Sequence, residues 1–203
     1  LYQSGKTTEA LYAVESWYSW HSRDDYTNNI YSIRNSYYGS LDGNPAENSL
    51  YNLISTKNAD LHNEVVSAIS GAAQAIQAIP QPFRNNINST ESGKAMDACA
   101  ALEATLVKLE SYIQDEASIN SDEVLDPIVT NYVDVVVLPT YKALQEKATA
   151  LQSAVTALNN DRTSANFSKA CNAWLEAREP WESSEAFLFG PVDELGLDPN
   201  MDS

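Results

Sequence analysis

The residue types best suited to chemistry are concentrated in Cys171 to Gly190, CNAWLEAREPWESSEAFLFG, which holds four glutamates, one arginine, two tryptophans and two phenylalanines. Glu176, Glu179, Glu182 and Glu185 recur every three residues, so on a helix neighbouring carboxylates of the series lie on adjoining parts of the surface. Paired helical carboxylates together with a histidine hold iron or zinc in carboxylate-bridged bundles. No histidine lies in this stretch, and spacing alone favours a solvated acidic face in which Arg178 and Glu182 pair at i, i+4. Trp174, Arg178, Trp181 and Glu185 follow at intervals of four, three and four, which puts them on one helical face. The aromatic residues of the stretch, Phe187 and Phe189 included, read most simply as packing. Pro180 predicts a kink or break, and Gly190-Pro191 predicts the end of the helix.

Other chemistries find little support. The chain has no G-x-S-x-G, no phosphate loop and no H-E-x-x-H. Its histidines are His21, read as a surface or capping residue at a helix end, and His62, read as surface. Cys99 and Cys171 lack a C-x-x-C partner and fall on predicted apolar stripes, so they read as small buried residues or as one disulfide in an oxidising compartment. With 28 acidic against 12 basic residues the net charge is −16, which repels phosphate backbones and argues against nucleic-acid binding. No apolar run approaches the roughly 18 to 20 residues of a membrane span.

The elements that must position these residues are all helical. Thr7 or Thr8 caps a helix through about Trp20, with Leu11, Val14, Trp17 and Tyr18 inward. Asp24 and Asp25 open a second that Gly39 stops, residues 41–48 form a loop, and a short helix follows from Ser49. Val65, Ile69, Ala72, Ile76 and Ile79 alternate four and three, the seam of a bundle helix that Pro80 and Pro82 end. Cys99, Leu102, Leu106, Leu109 and Ile113 repeat the pattern after Thr90. Residues 114–123, QDEASINSDE, are polar and read as a linker. Asp126-Pro127 starts a long helix through the valine-rich 132–138, with a kink at Pro139 and a seam of Leu144, Ala148, Leu151, Val155 and Leu158. Thr163 caps the last helix. The class is therefore all-α, in antiparallel bundles.

Two segments carry a family resemblance. AREPWESSEAFLFGPVDELGLDPNMDS, residues 177–203, resembles the signature segment of the imelysin-like family, an Ala-Arg-x-x-Trp-Glu run leading into Phe-Gly-Pro and Asp-Ser-Trp-Pro. SWYSWHSRDDYTNNIYSIRNSYYG, residues 16–39, resembles the opening of the family's other half. In that family the Arg-x-x-Trp-Glu half comes first, so the reversed order implies a circularly permuted member. Residues 1–116 would be a bundle resembling the family's C-terminal half, and 117–203 an incomplete N-terminal half, the polar linker joining the ancestral ends. The family's Gly-x-His-x-x-Glu motif falls outside both ends, which read as cut. The absent segment would lie in a longer gene product or in a second chain.

The resemblance implies two four-helix-bundle-like halves packed together, with a metal or small-ligand site between them. Arg178, Trp181, Glu182 and Glu185 would line it from one half and Asp25 and Asn29 from the other. Glu182 and Glu185 are the candidate metal ligands and iron or zinc the candidate ions. The implied role is non-enzymatic, in iron uptake or homeostasis at the bacterial cell envelope, the protein being periplasmic or held by a lipid anchor outside this chain. The alternatives are a zinc-dependent metallopeptidase using the absent motif, and a structural bundle that binds a partner protein.

Overall fold

A computed structural model describes residues 7–201. Among them there is no strand. The order is α1 (Thr7–Tyr12), α2 (Ser22–Tyr38), α3 (Leu50–Lys57), α4 (Ala59–Gln77), α5 (Thr90–Asp115), α6 (Asp122–Asn131), α7 (Leu138–Asn160), α8 (Ser164–Glu182), α9 (Pro191–Glu194) and α10 (Leu197–Met201). None of the described helices is long and apolar enough to cross a membrane.

α4 is the spine of the first portion, packed against α2, α3 and α5. The seam read from its spacing is inside: Val65, Ile69, Ala72, Ile76 and Ile79 are all buried, joined by Leu102 and Leu109 from α5. Each large aliphatic side chain removed from water contributes about 1.5–3 kcal/mol. Ser49, Asn58, Ser89 and Thr163 cap α3, α4, α5 and α8, each accepting a bond from a backbone N–H in the first turn. Gly39 closes α2 at φ 66°, with its N–H on the Asn35 carbonyl.

Several expectations are corrected. The first helix ends at Tyr12, not near Trp20. Residues 13–20 form successive turns, with Trp17 and Ser19 bonded three residues back. Ser16 and Trp20 have φ of 37° and 71°, a conformation that breaks helical propagation. α6 begins at Asp122, so Pro127 lies inside it. The valine-rich run is helical, but residues Tyr132–Val137 form a π-type turn. Pro139 supplies no N–H and crowds the carbonyl four residues back, and the turn just before it widens, Leu138 N–H reaching the Val133 carbonyl. The polar 114–123 stretch is no free tether. α5 runs to Asp115, and Ile119 in the connecting turn is fully buried in the first core.

α7 and α8 form an antiparallel hairpin tied at its middle by Lys147 and Glu176, 2.6 Å apart. Its sequence seam is less covered than that of α4: Ala148 and Val155 are exposed. The stretch 171–190 is not one helix. α8 runs through Pro180 and stops at Glu182, well before Gly190.

Candidate functional site

The site forms where α2 and α8 lie side by side. Asp25 meets Arg178, Asn29 meets Glu182, and Ser32 Oγ accepts from the Ala186 N–H at 3.0 Å. These pairs advance together along both chains, so the two helices run parallel.

Arg178 is the centre. Its side chain is only 12% exposed, and Nη2 pairs with Glu182 Oε1, with Glu15 Oε1 at 2.5 Å and with Asp25 Oδ2 at 3.8 Å. The guanidinium also stands over the Trp174 ring, 5.6 Å from its centroid. The i, i+4 pair expected from spacing is present, but buried rather than on a solvated face, with Glu182 2% exposed. Asn29, with its amide nitrogen turned toward the acceptors, donates to Glu182 Oε2 at 2.7 Å and to the Asp25 and Glu182 carbonyls at 3.0 and 3.2 Å. Ser16 Oγ donates to Asp25 Oδ2. The Tyr26 hydroxyl accepts from the Glu15 N–H at 3.0 Å, which pins the turn carrying Glu15 and Ser16 against α2.

Among the described residues, one guanidinium therefore faces three carboxylates in a buried setting. Burial pushes the Asp25 carboxyl above its ordinary range, with the Ser16 hydroxyl and Arg178 opposing it. For Arg178 burial works against the charge, but Glu182, Asp25 and Glu15 outweigh it and hold the guanidinium protonated. Burial likewise raises the Tyr26 phenol.

Of the residues singled out in the sequence, the fold gathers Arg178, Glu182, Asp25 and Asn29 into this cluster. Trp181 is buried beside them on α8. Glu185 lies past the helix end, in a short 3₁₀ turn (Glu185–Phe187), and is exposed, so the helical register that linked it to Trp181 is broken. Glu15 and Ser16 were not foreseen. They lie far from Arg178 in the chain, inside what reads as a regular helix, and no periodic signal marks them.

The other candidates fall elsewhere. His21 sits at the N-terminus of α2 with Nδ1 3.2 Å from Asp24 Oδ2, on the surface as expected. His62 is corrected: it is buried, its Nδ1 3.1 Å from the Tyr37 hydroxyl and its ring edge-on to Tyr51 at 4.4 Å. The Asn58 cap sets α4 so that its first turn faces α2 and α3, which the polar residues around His62 had concealed. Cys171 is exposed and Cys99 half-buried, both as free thiols.

Comparison with known proteins places this arrangement. A crystal structure of an imelysin peptidase from Bacteroides ovatus superposes on all of this chain with a TM-score of 0.96 and 63% sequence identity, the chain spanning 58% of that protein. Iron-regulated protein A of Synechococcus elongatus is 40% identical over 75 residues, which are 37% of this chain and 21% of that protein. The chain thus spans less than two thirds of the first and the match covers about a fifth of the second. The Imelysin family model matches residues 3–109 and 137–203, the second range carrying Arg178 and Glu182 and the first Glu15, Asp25 and Asn29. Matched on both sides of its central site, the chain belongs to the imelysin family.

Proposed function

We propose that this chain is part of a bacterial cell-envelope protein serving iron uptake or homeostasis, and that the α2–α8 contact forms one wall of its ligand site. The observation that carries this reading is the buried gathering of Glu15, Asp25 and Glu182 on Arg178, built from residues far apart in the chain. A buried cluster of charges is costly to assemble in a merely structural contact and is useful where polar groups must be held in fixed directions for a ligand. Arg178 would hold Glu182 and Asp25 in fixed directions, and Asn29 would orient Glu182 further. The iron reading draws on Iron-regulated protein A by similarity. A permuted order of two halves divided near residue 116 belongs to the same proposal.

These residues do not by themselves fit an iron or zinc ion. Among the described residues no three His, Cys, Asp or Glu side chains are grouped to hold a metal, and the Arg178 guanidinium lies among the carboxylates where a cation would sit. A metal centre would need donors from the portion of the family's length that this chain does not span, with Glu182 and Asp25 supporting it from behind. The second reading, a metallopeptidase, is favoured by the description of the Bacteroides ovatus relative as a peptidase. Metal analysis of the complete protein, with a peptide-cleavage assay before and after chelation, separates the two. Bound iron without cleavage is the expected result. Chelator-sensitive cleavage overturns the first reading in favour of the second, and neither metal nor cleavage leaves a partner-binding bundle.

A further inference from the structure

The opposite flank of the α2–α8 contact carries a feature that the Arg178 cluster does not use. Here α2, α7 and α8 enclose a groove of about 330 Å³. In the register set by the Asp25–Arg178 and Asn29–Glu182 contacts, Glu179 is level with the first turns of α2. Arg34 lies roughly eight residues further on, about 12 Å along the axis at 1.5 Å per residue. The groove is therefore electrically polar from end to end. At one end the Arg34 guanidinium rests on the Tyr31 ring, 4.3 Å from its centroid, and donates to Asn35 Oδ1 at 2.9 and 3.2 Å. Among the described residues these partners are neutral, and no carboxylate pairs with Arg34. At the other end Lys147 bonds Glu176 at 2.6 Å and is also drawn to Glu179, so two carboxylates share one ammonium there and the end keeps a net negative charge. Ala143 and Pro180 give the walls between them small apolar surfaces.

We infer that this groove binds a short peptide with free termini, its carboxylate on Arg34 and its ammonium on Glu179. Three extended residues at about 3.3–3.6 Å each match that backbone offset, whereas a single amino acid falls well short of it. A dianion would find one uncompensated cation, and a polyamine would leave Arg34 unmatched. Guanidinium–carboxylate geometry is two-pronged and strong, which makes Arg34 the specific end. The site is separate from the Arg178 cluster and stands or falls independently of it.

The test is calorimetric titration of the chain with tri-alanine, its N-acetylated form and its C-terminal amide. Tri-alanine is expected to bind saturably and each blocked form about tenfold more weakly. Arg34→Gln should erase the penalty of the amide and keep that of the acetyl group, and Glu179→Gln should do the reverse. Glu179 is exposed, so its variant tests the site even if the arginine variant fails to fold. Equal binding of free and blocked peptides, or no saturable heat at about millimolar concentration, overturns the inference.

Discussion

Replacing Arg178 by methionine removes the guanidinium shared by Glu15, Asp25 and Glu182 while keeping most of the aliphatic stem. The guanidinium is 12% exposed and two of its partner side chains are 5% and 2% exposed, so water cannot replace it. Breaking a buried pair by removing one member costs about 3–5 kcal/mol, because the other charge stays buried without compensation. In a domain of this size that corresponds to a fall in Tm of roughly 6–20 °C, at about 2–4 °C per kcal/mol. The deficit should depend on pH with a definite sign. Burial already holds the Asp25 carboxyl above its ordinary value and Arg178 opposes that, so without Arg178 the folded state binds more protons and the variant regains stability as the pH falls. Urea unfolding at about pH 7 and about pH 5 measures both effects, and the loss should shrink at the lower value. Arg178→Met combined with Glu182→Gln should recover part of the loss, since the second change removes the stranded charge. A loss below about 1 kcal/mol, or one that is the same at both pH values, would refute the picture of a buried charge cluster.

Ile119→Ala should cost about 2–5 kcal/mol by unfolding, although the residue sits in a polar connecting turn, because its side chain is fully buried. A cost typical of an exposed loop would mean that the turn is not anchored. Gly39→Ala places a Cβ 2.6 Å from Asn131 Nδ2 at φ 66°, where only glycine is relaxed, and should destabilise by about 1–3 kcal/mol; chemical denaturation checks it. Burial lowers the pKa of His62, so the folded state binds fewer protons than the unfolded chain. Its stability contribution is full above the ordinary histidine value near 6.5 and is lost as pH falls below it. Ring titration by NMR and a flatter acid profile in His62→Phe should both show this. Cys171 should react at once with an aromatic disulfide reagent, and Cys99, half-buried with its thiol pushed up by burial, much more slowly.

The all-α class, the cap at Thr163, the seam from Val65 to Ile79 and the Gly39 stop were legible in the sequence, because each depends on contacts within one helix or on one residue's backbone freedom. Periodicity also brought Arg178 and Glu182 together, since i, i+4 neighbours meet on any helix. Periodicity could not say that this pair is buried, because burial is set by which helix lies opposite. α2 does, and it brings Asp25 and Asn29 with it; the family resemblance had pointed to those two without a geometric reason. Only the tertiary structure broke the first helix at Tyr12 and swung Glu15 and Ser16 onto Arg178 and Asp25. It alone turned His62 inward and seated Ile119 in the core. Charges distant in the chain interact only after folding has excluded water from between them, and a one-dimensional pattern carries no record of that exclusion.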